Sequence, residues 1–598
     1  MKKRGFTLVE LLAVIVVIGV ILVIVVPRVL KNIDEEKKSA FISSAKALIR
    51  KVEYDYMDKE DFNYVALKTF NINDISMSNY DIDNSTIKMK DGDIYIKLIG
   101  KEKFEGYKCI GTINNLNCRE KKACTTLKAL TSGTTYVNGQ YTYTYNGSTG
   151  WSVVLTDKES TDPVTTELCE TVNDKPIVSM KSMFSYSNAT SIDLSSFDTS
   201  NVTDMWNMFY KSAATSLDLS SFDTSNVTNM SDMFWGSKAT SLDLSNFDTS
   251  KVTGMKDMFN SSNVTVLDLS SFDTSNVKNM KNMFYNSQAT SIDLSRFDTL
   301  KVTDMTQMFS RSAATEIKGL NKFNTSNVTN MRDMFSYSKA TTLDLSSFDT
   351  SNVTDMGSMF SFSYATEIKG LENFDTSKVT NMGSMFYGVA ATSLNLSSFD
   401  TSNVTDMSYM FYVSSMKNID VSNFDTSNVT DMSSMFGGAK ATNLDLSNFD
   451  TSNVTDMWNM FSSSYATEIK GLENFDTSKV TNMGSMFYQS RATNLNLSGF
   501  DTSKVTNMKS MFYLSRATSL NVSNFNTSNV TDMSQMFSYS QATTLDLSSF
   551  DTQNVTNMSQ MFYNSKTTTG YARTQEDANR FNASSNKPDT LTFVVKSS

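Results

Sequence analysis

Ala189-Thr190-Ser191-Ile192-Asp193-Leu194-Ser195-Ser196-Phe197-Asp198-Thr199-Ser200-Asn201-Val202-Thr203-Asp204-Met205-Trp206-Asn207-Met208-Phe209 is a unit that the chain repeats almost to its end. The phenylalanine that opens Phe-Asp/Asn-Thr returns at 197, 222, 247, 272, 297, 323, 348, 374, 399, 424, 449, 475, 500, 525 and 550. These fifteen copies are separated by eleven steps of 25 residues and three of 26. A fixed period of this length makes a solenoid with one turn per repeat. The apolar columns are Ala189, Ile192, Leu194, Phe197, Val202, Met205, Met208 and Phe209. A single turn has no core, so each must bury these columns on its neighbours. Ser191 to Ser195 reads as a short parallel strand, and Met205 to Phe209 as a helical turn or second short strand. The Asp-Thr-Ser-Asn corner between them supplies local side-chain caps.

The unit resembles the repeats of BspA-type leucine-rich-repeat surface proteins, in the variant with Phe-Asp-Thr-Ser-x-Val-Thr-x-Met-x-x-Met-Phe. The resemblance covers residues 178 to about 565 and implies a cell-surface, often adhesive protein. Its shared residues are structural, so it transfers no binding residue. Three units depart, at Glu316-Ile317-Lys318-Gly319-Leu320, Glu367-Ile368-Lys369-Gly370-Leu371 and Glu468-Ile469-Lys470-Gly471-Leu472. Each has one extra residue and a glycine, as a bulge would. Asp193, Asp218, Asp243, Asp268 and Asp293 fall in one column, which is continued by Lys318. Strands about 4.8 Å apart would place these five carboxylates in mutual repulsion. The column is a solubility and register feature, or a binding strip for a cationic or metal-bridged partner.

Upstream, Met1-Lys2-Lys3-Arg4-Gly5-Phe6-Thr7-Leu8-Val9-Glu10 leads into an apolar run from Leu11 to Val26. From Phe6 to Pro27 is about 31 Å of helix, enough for one bilayer crossing. The basic leader keeps the N-terminus in the cytoplasm and places the bulk outside. A plain anchor does not explain Glu10, because a carboxylate in an apolar run is costly unless paired. The stretch resembles the type III signal of type IV prepilins and pseudopilins. That resemblance implies cleavage after Gly5 by a prepilin peptidase, methylation of Phe6, and roles in assembly for Glu10 and Pro27. The new Phe6 amine would be neutralised by Glu10 of a neighbouring pilin subunit within membrane lipid.

Between these regions lies a polar helix to about Tyr56, then a small head. Asp93 to Leu98 alternates as a strand, and Asn138-Gly139 and Asn146-Gly147 are turn signals. Tyr141, Tyr143 and Tyr145 form an aromatic row, either a packed sheet face or a carbohydrate platform. Cys109, Cys118, Cys124 and Cys169 do not fit a paired zinc spacing, so two disulfides are expected. Three pairings are open.

The expected fold is mainly β. It comprises a leader (1–5), an N-terminal α-helix (6–56, membrane span 6–27), a disulfide-containing α+β or β head (57–176), a leucine-rich-repeat-like parallel solenoid (177–565) and a C-terminal cap (566–598). The 598 residues contain no histidine, which removes Ser-His-Asp and Cys-His nucleophiles and His-ligated metals. A net charge of −10 argues against nucleic acid as the main partner. No cofactor and no enzymatic activity are expected. The expected molecule is a single-pass, pilin-like surface subunit displaying its solenoid for adhesion to a surface or host macromolecule. The alternative is a pseudopilin of a secretion or DNA-uptake machine whose solenoid binds cargo.

Overall fold

The computed structural model describes residues 26–56, 64–66, 77–82, 85–90, 93–114 and 116–596. Helix α1 runs Val26–Tyr56. Its exposed Asp34, Glu35 and Glu36 face water, while Phe41, Ala45, Leu48, Ile49 and Val52 recur at helical spacing and are fully buried. They lie on an antiparallel sheet of consecutive strands: β1 (Tyr64–Ala66), β2 (Thr86–Lys90), β3 (Asp93–Ile99), β4 (Tyr107–Gly111) and β5 (Leu116–Glu120). Ile94, Ile96 and Leu98 share the helix-side core, as the alternation in the sequence requires. The membrane helix expected over 6–27 lies, but for its last two residues, outside the described residues. Among the described residues no helix is long and apolar enough to cross a membrane.

The stretch 57–176, read from sequence as one head, contributes to two cores. A second, mixed sheet comprises β6 (Ala123–Cys124), β7 (Thr135–Asn138), β8 (Tyr141–Tyr145), β9 (Trp151–Leu155), β10 (Thr171–Val172) and β11 (Lys175–Ser179), in the order β6-β10-β11-β9-β8-β7. Its apolar face is continuous with the solenoid core. It is therefore the lid on the first turn. Tyr141 packs edge-on against Phe197 at 6.1 Å, and the Trp151 indole donates to the Val172 carbonyl at 2.9 Å.

From Ser179 to Asn557 a ladder of single parallel bridges climbs the solenoid, one rung per turn, and the array has about 18 turns in all. Longer parallel pairing occurs in places, as at Ser291–Asp293 with Glu316–Lys318. Met205 to Phe209 is neither helix nor strand. Successive tight turns carry the backbone, and alternate N–H groups of Met205, Asn207, Phe209 and Lys211 donate to the next turn's carbonyls of Asn229, Ser231, Met233 and Trp235. Asn207 and Lys211 sit in the left-handed region, at φ 58° and 50°. Stacking on an identical turn takes up hydrogen bonds that a helix would keep to itself.

Three columns fasten the turns. The Phe209 column is one continuous stack of rings, centroids 5.5 to 5.9 Å apart, from Phe184 to Phe562. The methionines beside it are buried, except for the partly buried Met558 of the last turn. The Thr199 column, also buried, is polar: the Thr199 hydroxyl donates to the Asp223 carbonyl at 2.8 Å and accepts from the Asp223 N–H at 2.7 Å. In the three longer turns no bulge forms. Gly319 ends a strand at φ +86°, where a Cβ would lie 2.5 Å from the Ser295 nitrogen, and a 3-10 turn takes up the extra residue.

At the C-terminal end, Thr544–Leu547 of the last repeat forms a parallel sheet with Thr569–Ala572 and Thr592–Val595, and helix α2 (Gln575–Asn582) covers the open end. Phe581 and Phe593 terminate the ring stack on Phe562. The last threonine, Thr552, has no next turn. Asp577 of α2 replaces it, accepting from the Thr552 N–H at 3.1 Å and hydroxyl at 2.7 Å, and from Arg573 at 3.1 Å. Burial alone would raise the Asp577 carboxyl; bonds from Thr574, Thr552 and Arg573 outweigh it and hold the group below the usual range. Asp577→Ala should loosen this end by roughly 2–3 kcal/mol, because it strands buried donors. Since the folded-state value is depressed, the contribution is full above the unfolded value of about 4 and fades as pH falls through the folded one. The calorimetric stability difference between the native chain and Asp577→Asn is thus expected to be constant at neutral pH and to vanish in acid. A difference that persists in acid would contradict this account of the cap.

Candidate binding face

The structure pairs Cys109 with Cys118 across β4 and β5, and Cys124 with Cys169 within the solenoid lid. Pro27 is the second residue of the described part of α1, whereas Gly5, Phe6 and Glu10 lie outside the described residues. Tyr141 and Tyr143 are fully buried and Tyr145 nearly so, with Trp151 among them. That removes the aromatic row as a carbohydrate platform and makes it a packed face.

The column Asp193, Asp218, Asp243, Asp268, Asp293 is exposed on the strand side. Each carboxylate accepts from the N–H of the serine two residues on, at 2.9 to 3.0 Å. The Ser295 hydroxyl and N–H hold the Asp293 carboxyl below the usual range. Lys318 stands directly beside Asp293 in the ladder, where its charge relieves the column. Among the described residues no group of acids, Cys or His is placed to hold a metal ion.

A different face carries the variation. Every turn from Met205 to Phe562 keeps its Val, its Met pair and its Phe, but the two positions after each Met-Phe do not repeat. The second of them is left-handed in every turn, a conformation suited to glycine or asparagine. Gly236, Gly388, Gly438, Asn286 and Asn564 comply. Tyr337, Phe362, Val413, Leu514 and Tyr539 do not, and hold large side chains outward at φ 46° to 55°. These bulky residues sit against a local backbone preference that the turn geometry imposes.

These side chains gather. Tyr337 stacks on Phe362 at 4.8 Å, Phe362 lies 4.5 Å from Tyr387, and Tyr387 meets Tyr412 edge-on at 5.0 Å. Beside this ribbon is an open groove of about 300 Å³. Tyr285, Tyr337 and Tyr387 supply its aromatic walls, Gln307, Arg311 and Asp333 its polar groups, and serines much of the rest. The Arg311 guanidinium covers Tyr337 at 4.7 Å. Burial pushes the Asp333 carboxyl up, against the opposing charge of Arg332. Sequence reading missed this face because it sought repeated residues, whereas the signal is in the positions that fail to repeat.

Four consecutive matches to the family described as "Mycoplasma protein of unknown function, DUF285" cover 160–266, 261–369, 361–470 and 463–574. Together they span more than two thirds of the chain, which belongs to this family. Residues 1–26 match the prokaryotic N-terminal methylation motif. No curated protein and no solved structure matches the chain. The methylation motif implies processing by a prepilin peptidase and assembly with pilin subunits, and with the repeat solenoid it fits a surface protein. N-terminal sequencing of the mature protein should therefore begin at Phe6. A bulky residue in place of Gly5 should leave the leader attached by crowding the peptidase.

Proposed function

We propose that this chain is a non-enzymatic, membrane-anchored pilin-like subunit that adheres to carbohydrate through the turn face of its solenoid. The groove between Tyr285, Tyr337 and Tyr387 carries this reading. Sugar rings offer apolar C–H faces that pack on aromatic rings, and hydroxyls that pair with Asp333, Gln307, Arg311 and serines. Phe6 to Pro27 forms the single membrane span, with the N-terminus cytoplasmic and the solenoid outside. Glu10 neutralises a neighbouring subunit's Phe6 amine. The BspA-type likeness of the repeats agrees with an adhesive role. A ligand bound across several similar turns is held by many modest contacts, so affinity grows with the number of turns engaged.

Binding of the full chain to an array of cell-surface glycans is the direct test. Joint replacement of Tyr337, Phe362 and Tyr387 by alanine should weaken binding at least about tenfold, on the order of 1.4 kcal/mol. Because these rings lie on the surface rather than in the Phe209 stack, the melting transition should hardly move. Asp-to-Asn changes at Asp193 through Asp293 should leave glycan binding intact. The reverse pattern, with binding lost on the acidic column and kept without the rings, would place recognition on the strand side.

A further inference from the structure

The helix-bearing head docks on the first solenoid turns through polar and charged groups of its strands. Tyr95 donates to the Ser220 carbonyl at 2.6 Å, Lys97 pairs with Asp223, and Arg119 pairs with Glu170 at 2.5 Å. Within this contact the Lys108 side chain is 1 % exposed. Its Nζ lies 3.2 Å from Asp198 Oδ2 and makes no hydrogen bond. Asp198 opens the first solenoid corner, and its Oδ1 is fixed by the Ser200 N–H at 3.0 Å. Its carboxyl is thus held in orientation with the other oxygen turned to the lysine. Glu170, 5 % exposed, is close enough for its charge to act on Lys108 and to feel Asp198. An ammonium buried without hydrogen bonds is an expensive way to hold two surfaces together.

We propose that Lys108 and Asp198 condense to an isopeptide bond between Nζ and Cγ beside the buried charge of Glu170. The ammonium gives a proton to Asp198 Oδ2, 3.2 Å away, and the freed amine attacks Asp198 Cγ. The nitrogen loses a second proton as one carboxyl oxygen departs with both as water. One amide and one water replace the ion pair, Glu170 ends as it began, and no oxidant or cofactor is needed. Burial lowers the Lys108 amine and raises the Glu170 carboxyl, while Lys108, Lys97 and the Ser200 hydrogen bonds hold the Asp198 carboxyl down against its own burial, so the condensation must proceed from an ion pair. Their position matters mechanically. The bond would close the chain from 108 to 198 around the Cys124–Cys169 disulfide. Force between α1 and the solenoid would then bypass the intervening lid.

The full chain, purified in detergent, reduced and denatured, should weigh one water less than its processed sequence. Proteolysis should release a branched peptide holding residues 108 and 198. Lys108→Arg and Glu170→Gln should restore the full mass. Asp198→Asn should still cross-link but lose ammonia instead of water, an outcome that does not depend on whether the other variants fold. A native chain of full mass, with Lys108 open to acetylation once denatured, would overturn the proposal.

Discussion

Every side chain of the core columns must tolerate lying directly on a copy or near copy of itself. A turn of 25 residues cannot enclose a core, so its stability is the stability of that self-stacking. Flat phenylalanine rings and flexible methionines meet the condition, because both pack on their own kind without leaving gaps. Threonine meets it differently: its hydroxyl donates to one backbone group of the next turn and accepts from another, so Thr199 can be buried with its hydrogen bonds satisfied. Charge meets it worst. The aspartates of the Asp193 column are exposed, turned onto their own serine N–H groups, and the column is interrupted by Lys318, Lys369 and Lys470.

The same condition makes the two ends special. At the far end Asp577, Arg573, Phe581 and Phe593 stand in for the missing turn, carboxylate for hydroxyl and edge-on rings for stacked ones. At the near end the second sheet supplies aromatic cover, and the head clamps the outer flank with Lys97, Lys108 and Arg119 on Asp223, Asp198 and Glu170. Head and solenoid are thus joined by contact as well as by chain. The contact fixes the direction in which the solenoid projects from the head.

What remains free to differ is what function can use. The positions after each Met-Phe lie off the ring stack and hold tyrosine, tryptophan, arginine, glycine and serine in unrepeated order. The ribbon from Tyr337 to Tyr412 and the groove beside it arise where large and small choices fall on neighbouring turns.

Sequence alone determined the period, the core columns, the C-terminal cap with its helix and final strand, and the existence of a helix ending near Tyr56, because each follows from spacing on one chain. It also located the three irregular turns, though it took Gly319 for a bulge rather than a left-handed glycine pressed against Ser295. Tertiary structure alone decided which cysteines pair, that the Tyr141 row is buried, and that residues 123–179 belong to the solenoid rather than to the head. It also decided that Met205 to Phe209 runs as hydrogen-bonded tight turns and that Lys108 is buried against Asp198. The reason is the same in each case. Periodicity states which faces of an element differ, but only the packing of elements distant in sequence states what each face meets.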